Sequence, residues 1–549
     1  MSTKLRLLSS LEKVFPEETC PGGGLPCGSM LRNEIYSFQV ACTTDKSLGY
    51  TADVTVESPL REYLTVYAVE NVPSMMPLDP HFHDEDYLKT NPGLFPDVLS
   101  AFSGHAYVAA GYWRSLWIAA DPHGQAAAGV YPIRITFESP DGRKDSVEFR
   151  LEIIGQDLPK QKLIVTEWIH TDCLANTYKV PVFSETYWKI TEAYLAAAAK
   201  YGMNMVLTPV FTPPLDTKIG GERTTVQLVD VKKSGAAYTF GFSRLARWMD
   251  MAERCGIGRF EISHLFTQWG AKSAPKIIAS VDGESRRIFG WETDASSEAY
   301  VSFLRQFLRS LRGFLTARGA LGKCWFHVSD EPKEEHLADY RRAREIISSE
   351  MPDCPIIDAL SSYAFYETGA VKKPIVSSDH IGPFLDHGVK NLWTYYCCNQ
   401  GVGVSNRFLA MPSYRNRVLG LQLYKFDIEG FLHWGFNFWN NALSERLINP
   451  YCVTDGLCSW PSGDPFVVYP GEGGSPVPSL RLLVFNEGLQ DLRALRLLES
   501  LTSREETLRL MEDGFAEPLR FDRYPKSAWA LLSVRRRVNQ RLKELLIGK

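Results

Sequence analysis

Between residues 162 and 439 the chain alternates short apolar runs with helix-sized amphipathic segments, and this rhythm limits its folds more than any other feature. KLIVTEWIH (162–170) precedes a helical stretch around ETYWKITEAYLAAAAKYG, closed by Gly202. NMVLTPVF (204–211) leads to SRLARWMDMAERCG, and RFEISHLF (259–266) to the long amphipathic SSEAYVSFLRQFLRSLRGFLTARG. KCWFHVSD (323–330) runs into EEHLADYRRAREIISSE. PIIDALSS (355–362), PIVSSDH (374–380), NLWTYYCC (391–398) and GFLHWGFNFW (430–439) complete eight strands. Strands that alternate with helices form parallel sheets, because each parallel pairing needs a crossover that returns the chain to the same end. Eight such units predict a (β/α)8 barrel over residues 158–480, with short, weakly helical links after strands five and six.

The flanks read differently. Residues 1–157 carry short alternating runs such as YTADVTVES and VYPIRITFESPDGRKDSVEFRLEII, broken by Asp-Gly and Pro-His-Gly turns. That spacing predicts a β-sandwich, with Met75 to Phe102 as a long aromatic loop and QDLPKQ (156–161) as the boundary. Residues 481–549 predict a C-terminal helical region packed on the barrel. Its last helix carries Leu531, Val534, Val538, Leu542 and Leu545 on one stripe, beneath a solvated face that includes Arg535, Arg536 and Arg537. A chain of 549 residues is expected to divide in this way.

Composition excludes several partners. A net charge of −4 and a pI near 6.3 favour neither nucleic acid nor an anionic membrane. No run of about 18 apolar residues is available to span a bilayer. MSTKLRLLSSLEKVF is interrupted by Glu12 and Lys13 before it reaches signal-peptide length. The 11 cysteines lack paired spacing, which points to reduced thiols and a cytoplasmic location. Gly22-Gly23-Gly24 follows no strand, and His327, Asp379 and His380 have no ligand spacing, so neither cofactor nor metal is expected. The 13 Trp, 24 Tyr and 29 Phe suit a ring-shaped ligand such as a sugar. The oligomeric state stays open.

Asp330 and Glu331 stand at the C-terminal end of strand four, the face on which barrel enzymes place their chemistry. Ser329 or Asp330 can also cap the next helix, with Pro332 in its first turn. Consecutive strand residues point to opposite faces, but past a strand end the backbone turns and both can enter the mouth. Neighbours leave no room for the attacking water of an inverting glycosidase. They do suit substrate assistance, in which a 2-acetamido carbonyl attacks the anomeric carbon.

The Phe-His-Val-Ser-Asp-Glu-Pro run at 326–332 resembles the signature of glycoside hydrolase family 123, the β-N-acetylgalactosaminidases. The resemblance extends to GFLHWGFNFWNN (430–441), FVVYPGEGGSPVPSLRLLVFNEGLQDLRAL (466–495) and the β-rich first region, as in a wider group of related barrel proteins. It implies that Asp330 orients the acetamido group and that Glu331 is general acid, then base. The expected activity is removal of terminal β-linked N-acetylhexosamine, with N-acetylgalactosamine first. The alternatives are a two-carboxylate glycosidase using Asp358, Asp379 or Glu429, and a carbohydrate-binding protein without catalysis.

Period two on strand eight puts Phe431, His433, Gly435, Asn437 and Trp439 on one face, and the polar groups there mark it as inward. His433, Asn437 and Trp439 are therefore candidate sugar contacts. Strand seven adds Trp393, Tyr395 and Tyr396, one tyrosine being placed to reach an acetamido carbonyl. His264 and Trp269 join from strand three, with Gln268 between them. Strand one offers Glu167, Trp168, His170 and Asp172.

Overall fold

The computed structural model describes residues 3–21, 24–268, 270–332 and 334–547. All eight expected strands lie in one parallel sheet: Ile164–Glu167, Met205–Thr208, Arg259–Ile262, Cys324–Phe326, Asp358–Leu360, Pro374–Ser377, Trp393–Tyr395 and Gly430–His433, here strands one to eight. Their order is four, three, two, one, eight, seven, six, five. The two end strands meet through a parallel bridge between Phe326 and Ile356. There the Phe326 N–H donates to the Pro355 carbonyl and the Ile357 N–H donates to the Phe326 carbonyl, each at 2.9 Å. Long helices follow the early strands, as in Glu185–Lys200 and Glu298–Ala317. Only Ala364–Glu367 and Gly382–Asp386 follow strands five and six.

The sheet has two apolar faces. Ile164, Met205, Leu207, Trp325, Ile357, Ile375, Trp393 and Leu432 form an inner cluster. Val165, Val206, Phe260, Phe326, Val376 and Phe431 belong instead to the large cluster shared with the helices. This assigns strand eight the opposite parity from the one its polar residues predict: Leu432 and Trp434 face inward, and Phe431 and His433 face the helices. Phe431 packs its ring 5.5 Å from Phe485 of the helix Leu480–Leu501. Gly430 faces inward because the Trp393 ring fills the space beside it; an added Cβ would lie 2.1 Å from that ring. A strand covered on both faces does not advertise its inner side by hydrophobicity.

In the N-terminal region, two five-stranded sheets enclose a core that includes Phe38, Val40, Val54, Ile133, Ile135 and Phe149. Part of the expected loop is a strand: Gly93–Ala101 pairs antiparallel with Leu64–Ser74. It lies at the sheet edge, and its Pro96 sits beside a register shift between Glu70 and Asn71, both places that tolerate proline. A further small sheet, built from Asp230–Ser234, Ala237–Gly241, Ile277–Val281 and Glu284–Phe289, inserts after strands two and three. Its second hairpin turns on Asp282-Gly283, both at positive φ, the chemistry of a two-residue turn.

The large apolar cluster runs without a break from Leu11 and Val98 through the helices to Leu531 and Leu542. Polar ties accompany it. Asp97 of the first region accepts a forked pair from Arg481 at 2.8 Å and 2.8 Å, and Lys13 donates to the Leu409 and Met411 carbonyls. All eleven cysteines are free thiols, and no described helix is long and apolar enough to cross a membrane. Gly430→Ala is expected to destabilise the fold by about 1–3 kcal/mol through overpacking against Trp393. Chemical denaturation measures it, and Trp393→Phe in the same chain should recover part of the loss.

Candidate active site

Strand four ends at Phe326, and the next five residues bring the charged groups together. His327 is fully buried between carboxylates from the two neighbouring strands. Its Nε2 donates to Glu261 of strand three at 2.6 Å, and its Nδ1 lies 3.4 Å from Asp358 of strand five. Glu261 also accepts from the Thr166 hydroxyl at 2.6 Å and from the Trp168 indole at 2.7 Å. Asp358 accepts from the Val328 N–H at 2.9 Å and from the Tyr340 hydroxyl. Burial opposes an imidazolium here, but Asp358 and Glu261 outweigh it and lift His327 to about 10. His327 is a cation at neutral pH.

Beyond this base the chain turns sharply. Glu331 takes φ = +42°, a left-handed conformation unusual outside glycine, and this frees it from strand alternation. Its carboxylate accepts from the Tyr395 hydroxyl of strand seven at 2.7 Å. Asp330 is half-buried, and the charges of Glu331, His327, Asp358 and Asp216 all act on it. Burial first, then the adjacent Glu331 charge, raises the Asp330 carboxyl well above the usual carboxylate range, while His327 pulls the other way. Asp330 therefore keeps its proton at pH values where an isolated carboxylate has lost its own.

The helix Leu337–Glu350 has His336 at its N-cap and no side-chain cap. Ser329 is turned the other way: it accepts from the Gly270 N–H and donates to the Thr267 carbonyl, both at 3.2 Å, tying the corner to the loop of strand three.

The remaining expected residues divide. Tyr395 reaches Glu331. His264 is buried with its ring stacked on His327, centroids 4.3 Å apart and planes 16° from parallel; burial and the His327 charge hold it neutral, far below its ordinary pKa. Gln268 braces the loop of strand two, its Oε1 accepting from the Asp216 N–H at 2.6 Å. The others lie in the packed interior. Trp393 fills the inner cluster beside Gly430. Tyr396 packs on Phe431 and His433 on the helix side. Asn437 clasps the backbone of His170, accepting from its N–H at 2.8 Å and donating to its carbonyl at 3.2 Å. Trp439 packs against Tyr194 and donates to the Val468 carbonyl. On strand one, Glu167 forms a buried fork with Arg407, and Asp172 another with Arg223. Trp269 lies outside the described residues.

Two groups that sequence reasoning passed over do reach the mouth. Trp434 is part-exposed on the inner side of strand eight, its indole donating to Asp464 at 2.8 Å and its ring 5.1 Å from Trp460. Asp216, in the loop after strand two, adds a third carboxylate. The parity of strand eight hides Trp434, and nothing in the local sequence of the loop marks Asp216.

Among the described residues, His264, His327 and Asp358 bring possible metal-ligand atoms within 4.8 Å of one another. The stacked rings do not fit a shared ion. Imidazole lone pairs lie in the ring plane, so two nearly parallel planes direct theirs side by side, and His327 Nε2 is committed to Glu261.

The glycoside hydrolase 123 catalytic-domain model matches residues 168–498. A solved family 123 glycoside hydrolase from Clostridium perfringens superposes with a TM-score of 0.75 at 15% identity, covering 100% of this chain and 98% of that one. A family 5 mannosidase from Rhizomucor miehei gives a TM-score of only 0.33 at 11% identity, covering 63% of this chain and 96% of its own. Among curated proteins there is no match. With its catalytic-domain match spanning more than half the sequence, the chain belongs to glycoside hydrolase family 123.

Proposed function

We propose that the protein is a retaining glycosidase that removes terminal β-linked N-acetylhexosamine, with N-acetylgalactosamine as the sugar, by participation of the 2-acetamido group. The observation that carries this reading is the pair itself: Asp330 and Glu331 are consecutive, share one half-buried corner, and Glu331 is turned out of strand alternation. In this scheme Glu331 protonates the departing glycosidic oxygen while the acetamido carbonyl oxygen attacks C1. Asp330 accepts the amide N–H and steadies the positive charge that develops on the ring so formed. Glu331, now a carboxylate, takes a proton from water as that water opens the ring at C1, so two inversions leave the configuration retained. The eight-stranded sheet, closed at Phe326 and Ile356, serves as a (β/α)8 barrel, and Trp434 with Trp460 offers the aromatic wall first sought at Trp439. We assign residues 1–157 to a β-sandwich domain, 158–480 to the catalytic barrel and 481–549 to the helical region packed on it.

The two-carboxylate alternative finds little support. Asp358 is fully buried and committed to Val328 and Tyr340, Asp379 accepts from Gln400, and Glu429 pairs with Lys373. Hydrolysis rates on aryl β-glycosides with and without a 2-acetamido group, with thiazoline analogues as inhibitors, test the choice directly. Full activity without the acetamide and no thiazoline inhibition would remove the proposal.

Leaving groups divide the labour of the pair. Glu331→Gln should abolish cleavage of natural glycosides yet spare much of the first step with a nitrophenyl leaving group, which needs little protonation. Asp330→Asn should slow both substrate types by about 10²- to 10⁴-fold. Single-turnover rates and melting temperatures of both variants check this; unaltered rates in less stable proteins would return the corner to a structural role.

His327 supplies a second test through pH. Its positive charge favours the ionised form of Asp330, so His327→Gln should raise the proton affinity of Asp330 and move the acid limb of kcat/KM to higher pH. A purely structural histidine would lower activity without displacing the limb.

A further inference from the structure

Asp216 has no part in the scheme above, yet it is built into the same mouth. It is half-buried, and its charge acts on both Asp330 and Cys398. The loop that carries it is held from two sides. Its N–H donates to Gln268 beyond strand three at 2.6 Å, and its carbonyl accepts from the Ser444 hydroxyl beyond strand eight at 2.7 Å. One carboxylate oxygen, Oδ2, accepts from the Leu443 N–H at 3.0 Å.

The backbone there is forced. Asp216, Leu443 and Ser444 take φ of +39°, +59° and +53°, three non-glycine residues in the left-handed region that contact one another. Such conformations persist only where surrounding contacts over-determine them, and they gather where a side chain must be aimed. The aimed group is the other carboxylate oxygen. Among the described residues, Oδ1 of Asp216 has no hydrogen bond. The nearby Arg223 does not claim it, since that guanidinium forks onto Asp172 at 2.8 Å and 2.7 Å. Burial of the residue pushes the Asp216 carboxyl up to about 6, while Oδ1 stays open to a donor that enters the mouth.

We propose that Asp216 is a sugar-binding residue whose Oδ1 accepts a hydroxyl hydrogen from the ring edge remote from C1 and C2, that is, from the hydroxyl at C4 or C6. The assignment rests on the glycosidase reading. Asp330 and Glu331 occupy the C1–C2 edge, so a third carboxylate in the same cavity meets the opposite edge. Neutral hydroxyls can approach it without adding charge to an already acidic site. A terminal sugar read at this edge must have those hydroxyls free, which favours cleavage from the non-reducing end.

The test compares parent, 4-deoxy and 6-deoxy aryl glycosides on the wild-type protein and on Asp216→Asn. A site built to bind a hydroxyl rejects the analogue that lacks it, so the wild type should lose at least about 10²-fold in kcat/KM on one deoxy substrate. Asp216→Asn should lose a similar factor on the parent and little more on that same deoxy substrate. A structural role would lower all three rates together and leave the deoxy penalty intact, which overturns the proposal. Wild-type indifference to both deoxygenations also overturns it. If Asp216→Asn does not fold, as judged by thermal melting, Asp216→Ser takes its place in the same comparison. Failure of the function reading is separable: a wild type that ignores the 2-acetamido group is given the same deoxy series on 2-hydroxy glycosides, and the comparison of penalties still decides the role of Asp216.

Discussion

The buried ion group Glu261–His327–Asp358 is the interaction on which the corner depends. It draws Glu261 from strand three, His327 from just past strand four and Asp358 from strand five. Strands four and five form the seam of the sheet, where a single bridge at Phe326 and Ile356 joins them. A charge taken out of water is costly unless it is paired and hydrogen-bonded, and breaking such a group leaves an unpaired buried charge. Here both carboxylates are well supplied: Glu261 has three donors, and Asp358 has a backbone N–H and a tyrosine hydroxyl beside the imidazolium, whose Nδ1 lies 3.4 Å away. The seam is thus held by electrostatics where ladder hydrogen bonds are few.

The same cation sets the conditions above it. Its charge favours ionised Asp330, while burial and the Glu331 carboxylate favour the protonated form. Burial wins, so the corner retains a proton; without His327 the opposition would vanish. The raised Asp330 carboxyl thus stands beside a second carboxylate that is held by the Tyr395 hydroxyl. The strained φ of Glu331 serves the same end, because a strand residue in ordinary geometry next to Asp330 would face the other way.

Much of this was legible in the sequence. Alternation of apolar runs and amphipathic segments located the eight strands, since each is marked by its flanking helices and turns as well as by its own residues. Asp330 and Glu331 stood out because acidic neighbours at a strand end have few structural uses. What failed was the facing of single residues. His433 and Asn437 are polar, which in a half-solvated sheet would signal the open side. In a strand covered on both faces they are turned to local partners instead, the Gly435 N–H for His433 Nδ1 and the His170 backbone for Asn437. Trp439 and Trp393 were illegible for the opposite reason, since an apolar ring fits a core and a sugar platform equally well. Asp216 was illegible because its setting comes from Gln268, Leu443 and Ser444, distant in sequence and joined only by the fold.

The flanking regions also bear on the site, through a chain of contacts that explains why the sheet is not left to stand alone. Asp97, from the first region, forks onto Arg481 at the start of the helix Leu480–Leu501. Arg481 in turn donates to the carbonyls of Gly463 at 2.6 Å and Phe466 at 2.9 Å, fixing both ends of a short loop. That loop contains Asp464, which accepts the indole N–H of Trp434. The part-exposed Trp434 packs its ring against Phe438 and Trp460. Here its angle is fixed by a hydrogen bond to a loop pinned by an arginine, and that arginine is anchored in the N-terminal sheet. Rigid support delivered from outside the sheet is what the proposed sugar wall would need above two adjacent carboxylates.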